Sequence, residues 1–203
     1  QQQLAVGGSL RLWDVLLQDW FHRVRQRLPA LAITAESHTQ EVLTRHLLDG
    51  LIDLAFLVEP AQLDVLQIEE VGVIDLVLVG DKPDTGIETA LGDEYLMVDW
   101  GLAHALEHRR LFPDAPEPHV RVSLAKMALS HLLVLGGFAY LPVPLVAEHL
   151  DDASLHLVAD APLMQRHVYA VYPLRGAKDQ LIRSCLKLVS ADVPLTLDDT
   201  DFR

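Results

Sequence analysis

His46-Leu47-Leu48-Asp49-Gly50-Leu51-Ile52-Asp53-Leu54-Ala55-Phe56-Leu57-Val58 is the stretch that decides the fold. It reads as the end of a helix, a glycine stop, a two-residue turn and a buried strand. Val42, Leu43 and Leu47 fall on one helical face behind the polar starter Ser37-His38-Thr39. Gly50 stands where a helix needs a left-handed residue to end. Leu54 to Val58 is an uninterrupted apolar run, the pattern of a strand covered on both faces. A helix feeding such a strand is half of a parallel α/β unit.

The same unit precedes it. Leu4-Ala5-Val6 is a short apolar strand, and Gly7-Gly8-Ser9 is a tight turn with a polar cap. A helix runs from Leu12 to Leu28, with Trp13, Leu16, Leu17, Trp20, Phe21 and Val24 on one stripe and Val15 off it. Pro29 ends that helix, and Leu31, Ile33 and Ala35 alternate as the next strand. Farther on, Ile74 to Gly80 is a strand, and Asp81 to Gly86 is a polar loop at a boundary. Strands are expected at Tyr95–Val98, 120–122, 138–141, 155–158 and 168–171. Helices are expected at 102–111, 124–135, 143–150 and 177–189, and the acidic tail after Ala191 reads as frayed. The result is α/β: two lobes, the second inserted into the first and joined to it by two crossover strands.

This order and spacing resembles the effector-binding (substrate-binding) domain of LysR-type transcriptional regulators. The residues that carry the resemblance are Val6-Gly7-Gly8-Ser9, the helix of Leu12 to Val24, Leu28-Pro29 and Leu48-Asp49-Gly50-Leu51-Ile52-Asp53-Leu54-Ala55. Downstream they are Ile74 to Gly80, Leu135-Gly136-Gly137-Phe138-Ala139-Tyr140-Leu141-Pro142 and His167 to Tyr172. Within the family, Leu12-Trp13, Asp99-Trp100-Gly101 and Leu141-Pro142-Val143 are most similar to the flagellar-operon repressor branch. The resemblance implies two Rossmann-like lobes of periplasmic-binding-protein type II architecture. Lobe I is expected over residues 1–78 and 171–203, and lobe II over 79–170. It further implies a cytoplasmic homodimer or higher homo-oligomer, in which the first helix pairs with the partner's helix of residues 124–135. DNA binding is expected to reside on an N-terminal winged helix-turn-helix, absent from this chain.

Composition agrees with a sensing module. Half of the 203 residues are hydrophobic, enough for a proper core. Sixteen Lys and Arg stand against 29 acidic residues, for a net charge of −13, which excludes an extended duplex-binding surface. Cys185 is the sole cysteine, so no internal disulfide forms. Inside a helix it reads as a small buried hydrophobe, with a reactive thiol as the rival reading. The longest apolar run, Leu132 to Ala147, is too short and too broken by glycine and proline to span a membrane.

Ligands in open α/β sheets bind beyond the carboxyl ends of strands. In a two-lobed protein these ends face the cleft. They place Ser9, Ser37, His38, Thr39 and Glu59 on one side, with Asp99 and Trp100 on the other. Ser9 reads either as a helix cap or as a ligand donor at the same helix start. Arg11 opposes the helix dipole, which fits a surface residue or a partner for an anion. Trp13 and Trp20 read as core. His104-Ala105-Leu106-Glu107-His108 spells H-x-x-E-H, the inverted zinc-peptidase signature, but it is isolated. The favoured function is therefore effector sensing and dimerisation without catalysis or cofactor, with an anionic or polar small molecule as ligand. The alternatives are a solute-binding protein for uptake and a zinc-dependent hydrolase through His104, Glu107 and His108.

Overall fold

The computed structural model describes residues 2–189. In chain order the elements are β1 (Gln3–Gly8), α1 (Leu10–Leu12), a π-helical turn (Trp13–Leu17), α2 (Gln18–Arg27), β2 (Ala32–Ser37), α3 (Gln40–Leu48), β3 (Leu54–Leu57) and β4 (Leu66–Gly80). There follow α4 (Ile87–Ala90), β5 (Leu96–Val98), α5 (Leu102–Leu111), β6 (Val120–Val122), α6 (Ala125–Leu135) and β7 (Phe138–Pro142). The chain closes with α7 (Val143–Asp151), β8 (His156–Leu157), β9 (Met164–Pro173) and α8 (Asp179–Leu186). These form two compact units: residues 2–72 with 167–189, and residues 73–166. The acidic tail after Ala191 lies outside the described residues.

In the first unit the strands run in the order β2-β1-β3-β9-β4. β1 pairs in parallel with β2 and β3, and β3 pairs antiparallel with β9. The deciding stretch folds as its residues require. Gly50 takes φ 72°, and α3 ends there with two wrapped hydrogen bonds. The Gly50 N–H donates to the Leu47 carbonyl at 3.2 Å and the Leu51 N–H to the His46 carbonyl at 2.9 Å. Together they satisfy carbonyls the helix leaves open. All four residues of β3 are buried. Just before that strand, the Asp53 carboxylate accepts from the Ala5 N–H and from Lys178 Nζ, each at 2.8 Å. It thereby fastens the turn to β1 and to the start of α8.

Besides the unexpected short helix α4 and the longer β9, two elements differ from expectation in ways that change packing. The first helix is not a regular helix, because Trp13 to Leu17 form a π-helical turn. A π-turn is wider than an α-turn and breaks the 3.6-residue stripe. Trp13, Val15, Leu16 and Leu17 are consequently all buried, Val15 among them. Strand β4 starts at Leu66, well before Ile74. Its first half sits among charged residues and alternates only as Leu66-Gln67-Ile68-Glu69, with Leu66 buried and Glu69 exposed.

The second unit holds β7 and β8, both antiparallel to β4, and a separate parallel pair, β5 and β6. The Gly136-Gly137 pair that stops α6 has φ of 82° and 113°. A Cβ on Gly137 would lie 2.6 Å from the Glu94 carbonyl oxygen, so only glycine fits there. Asp81 holds the turn, accepting from the Gly137 N–H at 2.9 Å. Among the described residues, no helix is long and apolar enough to cross a membrane.

Candidate functional site

In the first unit, parallel pairing brings the carboxyl ends of β1, β2 and β3 to one edge. Gly8 is in register with Ser37 on one side and Phe56 on the other. The His38 N–H donates to the Gly8 carbonyl at 3.3 Å, and the Glu59 N–H donates to Gln40 Oε1 at 3.2 Å. Ser9, Ser37, His38, Thr39 and Glu59 therefore share this edge.

The individual residues are not equivalent. Ser9 is the N-cap of α1 by position, yet its side chain makes no capping bond. Its carbonyl instead accepts from the Leu12 and Trp13 N–H groups at 3.0 and 3.1 Å. The Ser9 hydroxyl oxygen is buried without a hydrogen-bond partner. A simple side-chain cap is thus not what this serine does. A buried hydroxyl left unpaired is costly, and a ligand atom would relieve it. Arg11 is partly buried in α1. Thr39 is the true cap of the pair: its Oγ1 accepts from the Val42 N–H at 3.4 Å, at the start of α3.

His38 is not alone. The Glu36 carboxylate lies 3.1 Å from His38 Nε2 and 3.4 Å from His46 Nδ1. Sequence reading passed over Glu36 and His46. The available signal was the two-residue spacing of Glu36 and His38, which puts both on one side of an extended chain. The Trp13 indole N–H donates to the Glu36 carbonyl at 3.1 Å, so the first helix helps to place this cluster.

In the second unit, Asp99 and Trp100 follow β5 and line a cavity of about 370 Å³ together with Met97, Gly101, His104 and Arg121. Trp100 is only 1% exposed, and its indole N–H has no hydrogen-bond partner. Asp99 is exposed; its Oδ1 accepts from the Gly101 N–H at 2.9 Å, which folds the chain into α5. Burial pushes the His104 imidazole down to about 4, with Arg166 and His108 adding to the effect. Near neutral pH the cavity is therefore lined by an uncharged imidazole, the Arg121 cation and the Asp99 side chain, a setting for a polar group.

The H-x-x-E-H spelling does not make a zinc peptidase site. His104 and His108 are buried, and His108 Nε2 lies 2.7 Å from the Tyr95 hydroxyl. Glu107 is exposed and is gripped by Arg110 through contacts of 2.7 and 2.9 Å. Among the described residues, these three do not bring their ligand atoms together. The other sequence candidates are structural. Trp20 is buried with its N–H on the Cys185 carbonyl at 2.9 Å. The Cys185 thiol is buried and pushed up to about 11 by that burial, so it stays protonated and unreactive.

Comparison with known proteins gives a consistent picture. A family profile described as "LysR substrate binding domain" matches residues 1–193. The HTH-type transcriptional regulator HdfR of Escherichia coli O139:H28 (strain E24377A / ETEC) is 26% identical over 190 residues, covering 92% of this chain and 66% of that protein. The chain thus spans just under two thirds of the length of the curated relatives it matches. The apo regulatory domain of HypT from Salmonella typhimurium superposes with a TM-score of 0.77 at 16% identity, covering 94% of this chain and 96% of the other. The reduced regulatory domain of OxyR2 from Vibrio vulnificus gives 0.75 at 18% identity, covering 94% and 95%. These likenesses establish the fold of LysR regulatory domains.

Proposed function

The chain belongs to the LysR substrate-binding-domain family, and from that premise we propose that it is the effector-sensing and dimerising part of a DNA-binding transcriptional regulator. The observation that carries this reading is the family match across residues 1–193. The whole protein acts in the cytoplasm and binds DNA through a separate N-terminal domain. This part performs no reaction. It binds a small molecule, shifts between conformations of unequal affinity for that molecule, and passes the bias to the DNA-binding part.

The effector is anionic or strongly polar. In the first unit it engages Ser9, Arg11, Ser37, His38, Thr39 and Glu59, and in the second Asp99 and Trp100. Support comes from the unpaired buried Ser9 hydroxyl and the unpaired Trp100 indole N–H. Arg11 adds a planar donor fork suited to a carboxylate. A bromide-bound HypT regulatory domain and a sulfate-bound OxyR2 mutant regulatory domain have been described, and anion binding in those proteins fits the same preference.

A thermal-shift panel of small carboxylates and sulfate identifies a stabilising compound, and calorimetry then measures it against Arg11→Ala and Ser9→Ala. Loss of a charge-assisted hydrogen bond lowers affinity by about ten- to a hundredfold in Arg11→Ala, with unfolding almost unchanged. Equal affinities in parent and Arg11→Ala would remove Arg11 from the binding set.

A further inference from the structure

We propose that Glu36, His38 and His46 form a binding site for a divalent transition-metal ion of the zinc class. The inference shares His38 with the effector reading but does not depend on it, because it needs neither Arg11 nor the Trp100 cavity. One ligand atom from each of the three side chains lies within 4.8 Å of the others. Among the described residues, no other trio of His, Cys, Asp or Glu brings ligand atoms so close.

The geometry is already near that of a coordination sphere. With metal–ligand distances of about 2.0–2.1 Å, tetrahedral donors stand about 3.4 Å apart. Glu36 Oε2 lies 3.1 Å from His38 Nε2 and Glu36 Oε1 lies 3.4 Å from His46 Nδ1, so each carboxylate oxygen faces one imidazole and a small rotation brings one oxygen and both rings onto a single ion. The two rings meet edge to face with centroids 5.1 Å apart, so neither blocks the other's approach to a shared ion. The donors come from two elements: Glu36 from β2 and His46 from the last turn of α3, with His38 on the chain between. Both elements are fixed independently. β2 is zipped to β1, and the Glu36 carbonyl is held by Trp13.

The donor set selects the ion. Two imidazoles and one carboxylate suit zinc, copper or nickel, whereas calcium and magnesium take all-oxygen sets. Glu36 offsets one of the two positive charges. Side-chain exposures of 36%, 32% and 20% for His38, Glu36 and His46 leave a path from solvent and room for a water ligand. The chain's net charge of −13 raises the local concentration of cations. A bound ion would pin the carboxyl end of β2 to the end of α3.

The test is calorimetric titration of Zn²⁺ into the chelator-stripped 203-residue chain, with Co²⁺ absorption reporting the ligand field. The expected result is one tight site per chain. Losing a direct ligand should exceed the about ten- to hundredfold cost of losing an outer-shell partner, so His38→Ala and His46→Gln each weaken Zn²⁺ at least a hundredfold. Glu36→Gln weakens it as well, and His149→Ala, on a histidine of the second unit, does not. Zinc raises the thermal midpoint of the parent and of His149→Ala only. His38→Ala removes a side chain beyond the strand and reports on the site should His46→Gln lose its fold. Failure to take up one equivalent, or uptake that survives both histidine substitutions, would overturn the proposal and leave the trio as a hydrogen-bonded tie. The carboxylate response is read separately, in Arg11→Ala with Glu36, His38 and His46 all intact, so failure of the metal site and failure of the effector reading are distinguishable.

Discussion

Ser9 and Trp100 are polar groups folded into places where the protein offers them no partner, and such groups are rare in finished structures. Sequence reading reached both positions from topology, since both follow strands. It left Ser9 open between a helix cap and a ligand donor, because capping depends on a rotamer that spacing does not encode. It missed Glu36 and His46 because their meeting depends on how α3 lies on β2, and no local pattern records that. His104 has a testable consequence. An exposed histidine titrates near 6.5, whereas burial holds His104 at about 4 and lowers His108 too. Above about pH 6.5 both folded and unfolded chains carry His104 neutral, and the full stability is present. As pH falls toward 4, only the unfolded chain takes up the proton, so stability drops, by about 3 kcal/mol from His104 alone. Urea unfolding at pH 7 and pH 4.5 should show this loss, and His104→Asn should lessen it. Gly137→Ala should cost roughly 2–4 kcal/mol, from a forced left-handed φ and a clash with the Glu94 backbone. A change in the urea midpoint equivalent to less than 1 kcal/mol would contradict that account.

The elements were legible wherever an apolar period met a clear stop. α5 and β6 have the expected bounds, and α3 ends on Gly50 as its sequence demands. The π-turn escaped because periodicity assumes a constant number of residues per turn. Its effect reaches beyond one element: with Val15 buried, the first helix has less apolar surface left for a partner than its sequence suggests. α6 is the converse. Val134 and Leu135 are 76% and 75% exposed, with Met127 and Leu133 also exposed on the same helix. The proposed homodimer uses this surface. Val134→Glu should therefore turn a dimer into a monomer in sedimentation at tens of micromolar, with the circular dichroism of the folded chain unchanged and its thermal midpoint no longer dependent on protein concentration. A parent chain that is monomeric at that concentration would refute the pairing.

At the scale of the molecule, charge is the most legible property. With 29 acidic against 16 basic residues, this chain should not shift a promoter duplex at physiological salt, whereas the full-length regulator should. A shift by the chain alone, measured by gel mobility or anisotropy, would overturn the proposed division of labour. The units are threaded unequally along the chain. The second unit is one unbroken stretch, residues 73–166, while the first is made from both sides of it. Asp53 waits for Lys178, and β3 waits for Val171, the residue that pairs with Ala55. On the ribosome, the inserted unit has all of its strands before the first has its closing strand. The piece synthesised first should therefore be the last to become protease-resistant. Stalled nascent chains ending shortly after residue 166 has cleared the exit tunnel should protect the middle of the sequence and leave residues 2–72 open to cleavage.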